Sequence, residues 1–362
     1  MTTNASLRAW PRGPSFRCPE RLVVTASARS PVTFGQWLHF EVTELTAGGA
    51  QLAAATDDVG PGAELAFTVV LPFTGTHEVR GVVLRVTRDA VDVGWRQPQP
   101  AFLGGVAEYL MLAGGRVSPA TLRAAGFPVR AVDRAVTFGE GTPSDLGEIL
   151  DLRVRAYRHE GLRRDVTAAD LASPFDAFSR HLVCRYGGRI VGYARVIVVG
   201  GDPARSQYVS WGGHEVPPWL WEAGFVEGGA GAVDPEFQGV GLFLLLVQHV
   251  VGVATRSGYR YVLGACDDGL VDMYASMGFE PLETRYVEPR PGWRFRSHLI
   301  VLDLDGLLAD RLSGRNVAAM RSAALFGRDA GPGSLGEGQH LGDVAAQRPG
   351  TATRAGGQPQ DE

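Results

Sequence analysis

Residues 227–243 read EGGAGAVDPEFQGVGLF, and this stretch decides the fold of the second half of the chain. Its first part suits a buried strand that loosens at its glycines, and residues 238–241, QGVG, then open a helix. The first turn of a helix has free backbone N–H groups and the positive end of the helix dipole, which together attract a phosphate group. Glycine allows close approach, because a Cβ would hold the phosphate away from the backbone. The stretch therefore predicts a strand, a phosphate-binding turn and a helix.

A second motif follows in residues 274–282, which read YASMGFEPL. It places Tyr274 one turn before Gly278, which ends a helix, and Phe279 then seals the next strand. Together the two motifs resemble the acyl-CoA-binding motif and the following helix of the GCN5-related N-acyltransferase superfamily. The resemblance implies an α/β domain with one mixed sheet and helices on its faces. It also implies an enzyme that moves an acyl group from a thioester to an amine.

The pyrophosphate loop of that superfamily has the pattern Q/R-x-x-G-x-G/A. Residues 238–241 fit it, but Phe243 stands where the last small residue is expected. The ring of Phe243 would either crowd the start of the helix or turn inward against the sheet. Asp267 occupies a place where the family often has an asparagine near the pantetheine arm. The resemblance implies these donor-binding residues: Val233, Gln238, Gly239, Val240, Gly241, Leu242 and Asp267.

Two residues are candidates for acid–base catalysis. Tyr274 would lie near the thioester sulfur, where its phenol could protonate a leaving thiolate whose free thiol has a pKa of roughly 8 to 9. Glu227 ends the strand before the glycine turn, where related enzymes often place a carboxylate base that deprotonates the amine. Backbone N–H groups of residues 230–233 would polarise the carbonyl if the strand bulges there. The alternatives are a tyrosine that only packs and a glutamate that faces solvent.

The first part of this domain narrows the family. Residues 149–161 and 173–198 resemble the N-acyl-amino-acid synthase and acyl-homoserine-lactone synthase branch. Enzymes of that branch join a fatty acyl chain, often carried by acyl carrier protein, to an amino acid or its derivative. The resemblance implies substrate-side roles for Arg153 and Asp176, which match that branch's helix arginine and its D-x-x-D-like stretch. Arg195 lies in the strand YARVIV, where an arginine that faces a cleft could hold a substrate carboxylate. Each arginine could equally lie on a solvent-exposed face.

The first part of the chain predicts a small antiparallel β-barrel. Short apolar runs such as WLHFEVTEL and ELAFTVVLPF alternate with turn signals such as AGGAQ and VGPGAE. A helix over residues 100–113 would pack beside this barrel.

The barrel carries a motif of its own, R-x-x-x-R at residues 17–21 and ELTAGG at residues 44–49. These stretches resemble the PilZ domain, a bacterial receptor for cyclic di-GMP, whose pattern is R-x-x-x-R followed by D/N-x-S-x-x-G. Glutamate and threonine here replace the family's acid or amide and its serine. The resemblance implies a nucleotide site formed by Arg17, Arg21, Glu44, Thr46 and Gly49. Alternatively, the barrel holds its partner domain and binds nothing.

Composition limits the remaining classes. The chain has 362 residues, 45% of them hydrophobic, and its net charge of −4 argues against a general nucleic-acid binder. Its three widely spaced cysteines, Cys18, Cys184 and Cys266, form no disulfide framework or metal-ligand spacing. No apolar run is long enough for a transmembrane helix, and the first residues do not read as a signal peptide. We therefore expect a cytoplasmic protein without a metal ion.

The predicted organisation has six parts: a flexible arm (1–15), a PilZ-like barrel (16–115), a linker (116–132), an acyltransferase domain (133–305), a C-terminal helix (306–328) and a disordered tail (329–362). The predicted reaction moves an acyl group from acyl-CoA or acyl carrier protein to an amine, which we expect to be an amino acid, under control by cyclic di-GMP. Two alternatives stay open. One is an acetyl-CoA-dependent acetyltransferase, which a narrow acyl tunnel would favour, and the other is a signalling adaptor with a degenerate transferase fold.

Overall fold

A computed structural model of the chain describes residues 14–28, 37–53, 59–114, 117–130, 132–210, 215–287 and 296–329. The predicted arm up to residue 13 and the predicted tail from residue 330 lie outside these residues.

Six antiparallel strands close into a barrel, as predicted. Its strands are β1 (Phe16–Ala28), β2 (Trp37–Thr46), β3 (Gly49–Ala53), β4 (Glu64–Leu71), β5 (Gly75–Val86) and β6 (Ala90–Arg96). Their order around the barrel is β1-β2-β3-β6-β5-β4, and pairing of β1 with β4 closes the ring. Alternate residues point inward, which in β4 buries Leu65, Phe67, Val69 and Leu71. Because of this alternation, the apolar runs of the sequence could be predicted as strands.

Strand β3 was not expected, because its sequence reads as a turn. It pairs with β2 on one side and with β6 on the other. The close approach to β6 depends on Gly49: a Cβ there would lie 2.1 Å from the carbonyl oxygen of Val93. Ala50 and Leu52 then point into the barrel core. The glycine that suggested a turn is therefore the residue that lets a strand fit.

The second sheet has seven strands. They are β7 (Thr137–Glu140), β8 (Arg180–Tyr186), β9 (Arg189–Gly200), β10 (Phe225–Val233), β11 (Tyr261–Asp267), β12 (Glu280–Val287) and β13 (Arg296–Asp303). The order is β12-β13-β11-β10-β9-β8-β7, and β10 with β11 is the one parallel pair of this mixed sheet in the described chain. These two strands pair only from Phe225 to Glu227. Beyond Glu227 they diverge and leave a split in the sheet.

Helices cover both faces of this sheet. The α-helices of the described residues are α1 (Pro100–Gly114), α2 (Pro119–Ala124), α3 (Leu146–His159), α4 (Ala168–Leu171), α5 (Gln207–Ser210), α6 (Pro218–Ala223), α7 (Leu242–Arg256), α8 (Val271–Ala275), α9 (Leu304–Leu308) and α10 (Val317–Asp329). Of these, α1 packs against the barrel strands β1, β4 and β5. Helices α7 and α10 share an apolar cluster with Val226, Val262 and Ile300 on one face. Helix α3 packs on the other face against Ile190 and Tyr193. The predicted antiparallel barrel and α/β domain with a mixed sheet are thus confirmed.

The predicted C-terminal helix is two helices, α9 and α10. The chain between them turns at Asp310, which has a φ of 58°, and at Gly314, which has a φ of 149°. A Cβ on Gly314 would lie 2.5 Å from the carbonyl oxygen of Ser276. This close approach after α8 breaks a stretch whose apolar spacing alone reads as one helix.

One apolar cluster joins the barrel to the second sheet. It runs from barrel residues such as Val93 through α1 and α2 to Phe237 and Leu246. At its edge, the single O–H of Tyr186 is shared between the carbonyl oxygens of Met111 and Val117, at 3.1 and 2.8 Å. The two sheets are therefore packed through a shared core.

The fit of Gly49 against β6 gives a stability prediction. We expect Gly49→Ala to lower the free energy of unfolding by roughly 2 kcal/mol or more, because a backbone carbonyl must move to admit the methyl group. Gly60→Ala is the matched control, since a Cβ at Gly60 meets nothing within 4 Å. Chemical denaturation of both variants would check this. Equal stability of the two variants would show that β3 does not depend on the bare Cα.

Candidate active site

Strand β10 bulges in the middle of the sheet. Its register with β9 shifts between Gly229 and Ala232, and Ala230 adopts a left-handed conformation with a φ of 53°. Residues 230–231 therefore fall outside the ladder that joins β10 to β9. A bulge bends a strand and re-aims its backbone groups, and bulges are common next to active sites. The structure thus has the bulge on which the predicted carbonyl-polarising role of residues 230–233 depends.

A cleft opens where β10 and β11 diverge. One wall is formed by residues 228–231, which are glycines and one alanine, and the facing wall includes Gly264 and Ala265. The side chains of Phe243, Val247 and Tyr274 complete the lining. Because the walls are small residues and the floor is apolar, the cleft suits a narrow, extended and largely apolar ligand.

Phe243 turns inward, which decides between the two orientations that the sequence left open. Its ring lies edge-on to Tyr274, with centroids 5.8 Å apart. One ring carbon comes within 3.5 Å of the position that a Cβ on Gly231 would take. Phe243 therefore spans the cleft from the β10 bulge to α8 and narrows it.

Tyr274 is half-buried between two aromatic rings. It contacts Phe243 and, with centroids 5.3 Å apart, Phe279. Burial raises the pKa of the Tyr274 phenol well above its ordinary value. Its hydroxyl forms no hydrogen bond with another described residue, so it is protonated and available as a donor at the cleft.

Glu227 lies in the sheet interior, at the point where the split begins. Its side chain is 0% exposed, which rules out the solvent-facing alternative. One carboxylate oxygen accepts a hydrogen bond from the Ser206 hydroxyl, and the other accepts one from the Gln207 backbone N–H at 3.0 Å. Burial raises the pKa of Glu227 to about 7, against the opposing effect of these hydrogen bonds and of Arg195. A carboxyl with this pKa exchanges a proton readily near neutral pH.

Arg195 lies near this carboxylate, and its positive charge acts to lower the pKa of Glu227. It is fully buried, so the solvent-face alternative is wrong. One amino nitrogen donates to the Asp176 carboxylate at 2.5 Å, and the other donates to the Gln207 side-chain oxygen. Gln207 also lies against the bulge: its amide nitrogen is 2.5 Å from the position that a Cβ on Gly229 would take. The Arg195 Nε has no hydrogen-bond partner among the described residues.

Arg153 is also buried, so it is not a surface residue of α3. One of its amino nitrogens donates to the Leu171 carbonyl oxygen at 2.9 Å. Its guanidinium carbon lies 5.7 Å from the ring centroid of Tyr157 and 5.9 Å from that of Tyr193. Asp176 caps a short helix through a hydrogen bond from the Ser173 N–H at 2.9 Å. The three predicted substrate-side residues therefore gather on the Glu227 side of the sheet, where each already has protein partners.

The predicted donor loop leads from β10 into α7. Gly239 and Gly241 have φ values of 71° and 81°, a conformation that favours glycine. No side chain caps α7, so its first backbone N–H groups stay available to a ligand. Val233, Val240 and Leu242 are buried beneath the loop.

Two of the predicted donor residues already have partners of their own. The Gln238 amide donates to the Glu160 carboxylate at 2.5 Å. The Asp267 carboxylate accepts a hydrogen bond from the Gly269 N–H at 3.1 Å and so caps the turn before α8. Asp267 thus has a structural task that is independent of any ligand.

The residues of the predicted nucleotide site lie at one end of the barrel. Arg17 and Glu44 are directly opposite each other in the β1–β2 ladder. Arg21 is 76% exposed in its side chain and pairs with Glu41 at 3.1 Å. The Thr46 hydroxyl is buried and donates to the Gly49 carbonyl oxygen at 3.3 Å. Folding therefore brings the two halves of the motif together.

Sequence reasoning missed three residues that contact the β10 site, namely Ser206, Gln207 and Tyr208. The Tyr208 hydroxyl donates to the Gly228 carbonyl oxygen at 2.7 Å, beside the bulge. These residues follow a Gly-Gly-Asp-Pro turn after β9, and nothing local shows that they return beneath β10. No group of histidine, cysteine and acidic side chains suited to a metal ion occurs within the described part of the chain. Within that same part, no helix is both long and apolar enough to span a membrane.

A model of a known protein family matches the part of the chain that contains this site. The family model described as "N-acyl amino acid synthase FeeM" matches residues 148–322, slightly less than half of the chain. The predicted enzyme class, an N-acyltransferase, is confirmed by this match. No curated protein sequence matches the chain.

Solved structures similar to the chain belong to the same class of fold. FeeM, an N-acyl amino acid synthase from uncultured soil microbes, is 15% identical over 48% of this chain and 96% of its own, with a TM-score of 0.39. The acyl-homoserine-lactone (AHL) synthase LasI is 16% identical over 46% of this chain and 88% of its own, with a TM-score of 0.35. A putative acetyltransferase from Salmonella typhimurium, yncA, is 20% identical over 47% of this chain and 95% of its own, also with a TM-score of 0.35.

The raised pKa of Glu227 gives a prediction about stability. The unfolded chain loses this proton near the ordinary value of 4.5, whereas the folded protein holds it to about 7. Stability from this group is therefore fully present below pH 4.5 and is lost as the pH rises toward 7 and above. Between pH 5 and pH 8 we expect the wild type to lose roughly 2 kcal/mol more than Glu227→Gln.

Denaturant unfolding at both pH values would measure this difference. Glu222→Gln, a change at an exposed glutamate of α6, is the matched control and should keep the wild-type pH dependence. If Glu227→Gln and Glu222→Gln show the same pH dependence, Glu227 does not hold its proton to neutral pH.

Proposed function

We propose that this chain transfers an acyl group from a thioester to the amino group of an amino acid. The observation that carries the proposal is the placement of a proton acceptor, Glu227, and a proton donor, Tyr274, beside the β10 bulge and on opposite faces of the sheet. Glu227 shares one face of the sheet with its ladder partners Ile197 and Leu263. Tyr274 packs with the apolar cluster of the other face. The family-model match to N-acyl amino acid synthases supports the same chemistry.

The reaction follows from these positions. Glu227, as a carboxylate, takes a proton from the ammonium group of the acceptor, directly or through a water molecule. The amine attacks the thioester carbonyl, whose developing negative charge is stabilised by backbone N–H groups of residues 230–233. The intermediate then collapses: the C–S bond breaks, the C–N bond remains, and Tyr274 gives its proton to the thiolate. The products are an amide and a free thiol, with no covalent enzyme intermediate.

The donor is an acyl thioester of CoA or of acyl carrier protein. Its phosphate binds the uncapped N-terminus of α7, where Gly239 and Gly241 allow close approach. The pantetheine arm runs along the cleft between β10 and β11. Because Asp267 is engaged as a cap, it is not needed to hold this arm.

The acceptor binds on the Glu227 side of the sheet. Arg195 acts there as a positioning residue, since it holds both Asp176 and Gln207, and Gln207 in turn contacts Glu227 and the bulge. Arg153 donates a hydrogen bond to the carbonyl oxygen of Leu171 and so holds the end of α4 in place on this side of the sheet. The Nε atoms of both arginines are buried and have no hydrogen-bond partner among the residues that the structure describes, which favours an acceptor with a carboxylate.

Phe243 favours a second candidate, an acetyl-CoA-dependent acetyltransferase that acts on a small amine. Its ring narrows the cleft against Tyr274, and a narrow cleft suits a short acyl group better than a long one. The two candidates share the mechanism and differ in the donor.

The test is thiol release by the purified full-length chain. Donors are acetyl-CoA, a long-chain acyl-CoA and a long-chain acyl carrier protein, each with mixed amino acids as acceptors. Tyr274→Phe should lower kcat by about 100-fold, because the thiolate loses its proton donor while the ring packing is kept. Tyr261→Phe, which removes a phenol outside the cleft, is the matched control and should leave kcat unchanged.

Each outcome decides between the candidates. Preference for a long-chain donor supports the N-acyl-amino-acid reaction, and release from acetyl-CoA alone supports the acetyltransferase. If folded wild-type protein releases no thiol from any donor, the transferase function fails and the adaptor becomes the leading interpretation. An unchanged kcat in Tyr274→Phe would remove Tyr274 from the mechanism.

We further propose that the barrel binds cyclic di-GMP through Arg17 and Arg21, with Glu44, Thr46 and Gly49 completing the site. Both arginines are exposed at the barrel end where the two motif halves meet. Guanidinium groups can clamp phosphates and stack on guanine rings. Binding would regulate transfer only if the nucleotide has different affinities for two domain arrangements.

Calorimetry would test this binding. Arg17→Ala and Arg21→Ala should each weaken cyclic di-GMP binding by roughly tenfold or more, because each removes a charged hydrogen-bond donor. Arg88→Ala, at an exposed turn of the same barrel, is the matched control. If the wild type does not bind the nucleotide, the barrel is a structural partner only, and equal transferase rates with and without bound nucleotide would exclude regulation.

A further inference from the structure

Helix α2 lies between the barrel and the donor loop. Its Ser118 cap accepts a hydrogen bond from the Thr121 N–H at 3.2 Å, which fixes the start of this short helix. Just beyond its end, a Cβ on Gly126 would lie 3.4 Å from the Cβ of Ala47 in the β2–β3 turn. The ring of Phe127 lies edge-on to Phe16, at 6.0 Å between centroids. The C-terminal end of α2 therefore rests on the barrel.

Arg123 extends from the same helix to the donor loop. One amino nitrogen donates to the Gln238 carbonyl oxygen at 2.7 Å. The other lies 3.1 Å from the position that a Cβ on Gly239 would take, so the guanidinium covers the open side of this glycine. The contact joins residues 115 positions apart in the chain. A side chain from outside the transferase sheet thus lies over the glycine-rich turn.

Arg123 differs from two other arginines near the donor loop, Arg155 and Arg189, whose charges are neutralised by ion pairs. Arg155 pairs with Asp234 at 3.0 Å, and Arg189 pairs with Glu236 at 3.0 Å. In the part of the chain that the structure describes, Arg123 forms no ion pair, and its side chain is exposed. A guanidinium has five N–H donors in a planar fork, so the bond to Gln238 leaves most of them available.

We propose that Arg123 binds the phosphate group next to the pantetheine arm of the acyl donor. This inference rests on the proposed function, because it assigns a ligand to the same donor loop. The loop N–H groups and the α7 dipole attract a phosphate, and Arg123 adds a full positive charge on the side that Gly239 leaves open. CoA and a carrier protein present the same phosphopantetheine group, so the contact serves either donor.

The experiment compares three acyl donors that share the pantetheine arm: acyl-CoA, acyl-phosphopantetheine, which lacks the adenosine nucleotide of CoA, and acyl-pantetheine, which has no phosphate. For each donor, kcat/KM of Arg123→Ala is compared with that of the wild type. We expect this ratio to be roughly tenfold lower with the first two donors than with acyl-pantetheine, because one charged hydrogen-bond donor to phosphate is lost. Arg123→Lys should recover part of the loss. Arg130→Ala, a change at an exposed arginine of the same linker, is the matched control and should behave as wild type with all three donors.

The outcomes separate this proposal from the proposed function. Equal loss with all three donors would mean that Arg123 only supports the fold, and no loss with any would mean that it does not contact the donor. A loss confined to acyl-CoA would place the contact on the nucleotide part of CoA, which overturns the assignment to the pantetheine phosphate. If the wild type turns over no donor, the transferase function fails, and calorimetric titration with CoA then decides: weaker binding by Arg123→Ala supports the contact, and equal or absent binding overturns it.

Discussion

The bulge of β10 is the constraint on which the rest of the site depends. Strands β10 and β11 pair only as far as Glu227, and the bulge begins two residues later, at Gly229. The split in the sheet therefore starts beside the buried carboxylate and widens past the re-aimed backbone of residues 230–231. The bulge also requires a glycine at position 229, because Gln207 occupies the space that a side chain there would need. The bulge, the buried carboxylate of Glu227 and the cleft thus share one local distortion.

The polar groups around Glu227 keep its proton exchangeable. A fully solvated carboxylate would hold its proton too weakly near neutral pH, and an isolated buried one would hold it too strongly. Burial raises the pKa of Glu227, while Ser206, the Gln207 N–H and Arg195 act in the opposite direction. Arg195 is itself balanced by Asp176. The chain therefore maintains a buried polar network around Glu227, and such a network carries a cost to stability.

Local pattern predicted the elements, whereas long-range contacts decided their details. The glycines after Glu227 and the Tyr274 motif identified the sheet, the loop and α8, because the signals lie within a few residues. Strand β3 was missed because Gly49 reads as a turn until Val93 is known to lie against it. Ser206 and Gln207 were missed because only the fold brings them beneath β10. The inward turn of Phe243 likewise depended on Gly231 and Tyr274, which local spacing does not place.

The donor loop is anchored by both parts of the chain. Val240 and Leu242, which flank Gly241, belong to the apolar cluster that includes Leu122 of α2 and the core of the barrel. On the surface of the same loop, Arg123 holds the Gln238 carbonyl. The loop that would bind the phosphate is therefore built on a core to which the barrel contributes, so its geometry cannot be independent of the barrel. This packing supplies a physical reason for joining a small barrel to an acyltransferase in one chain, whether or not the barrel binds a nucleotide.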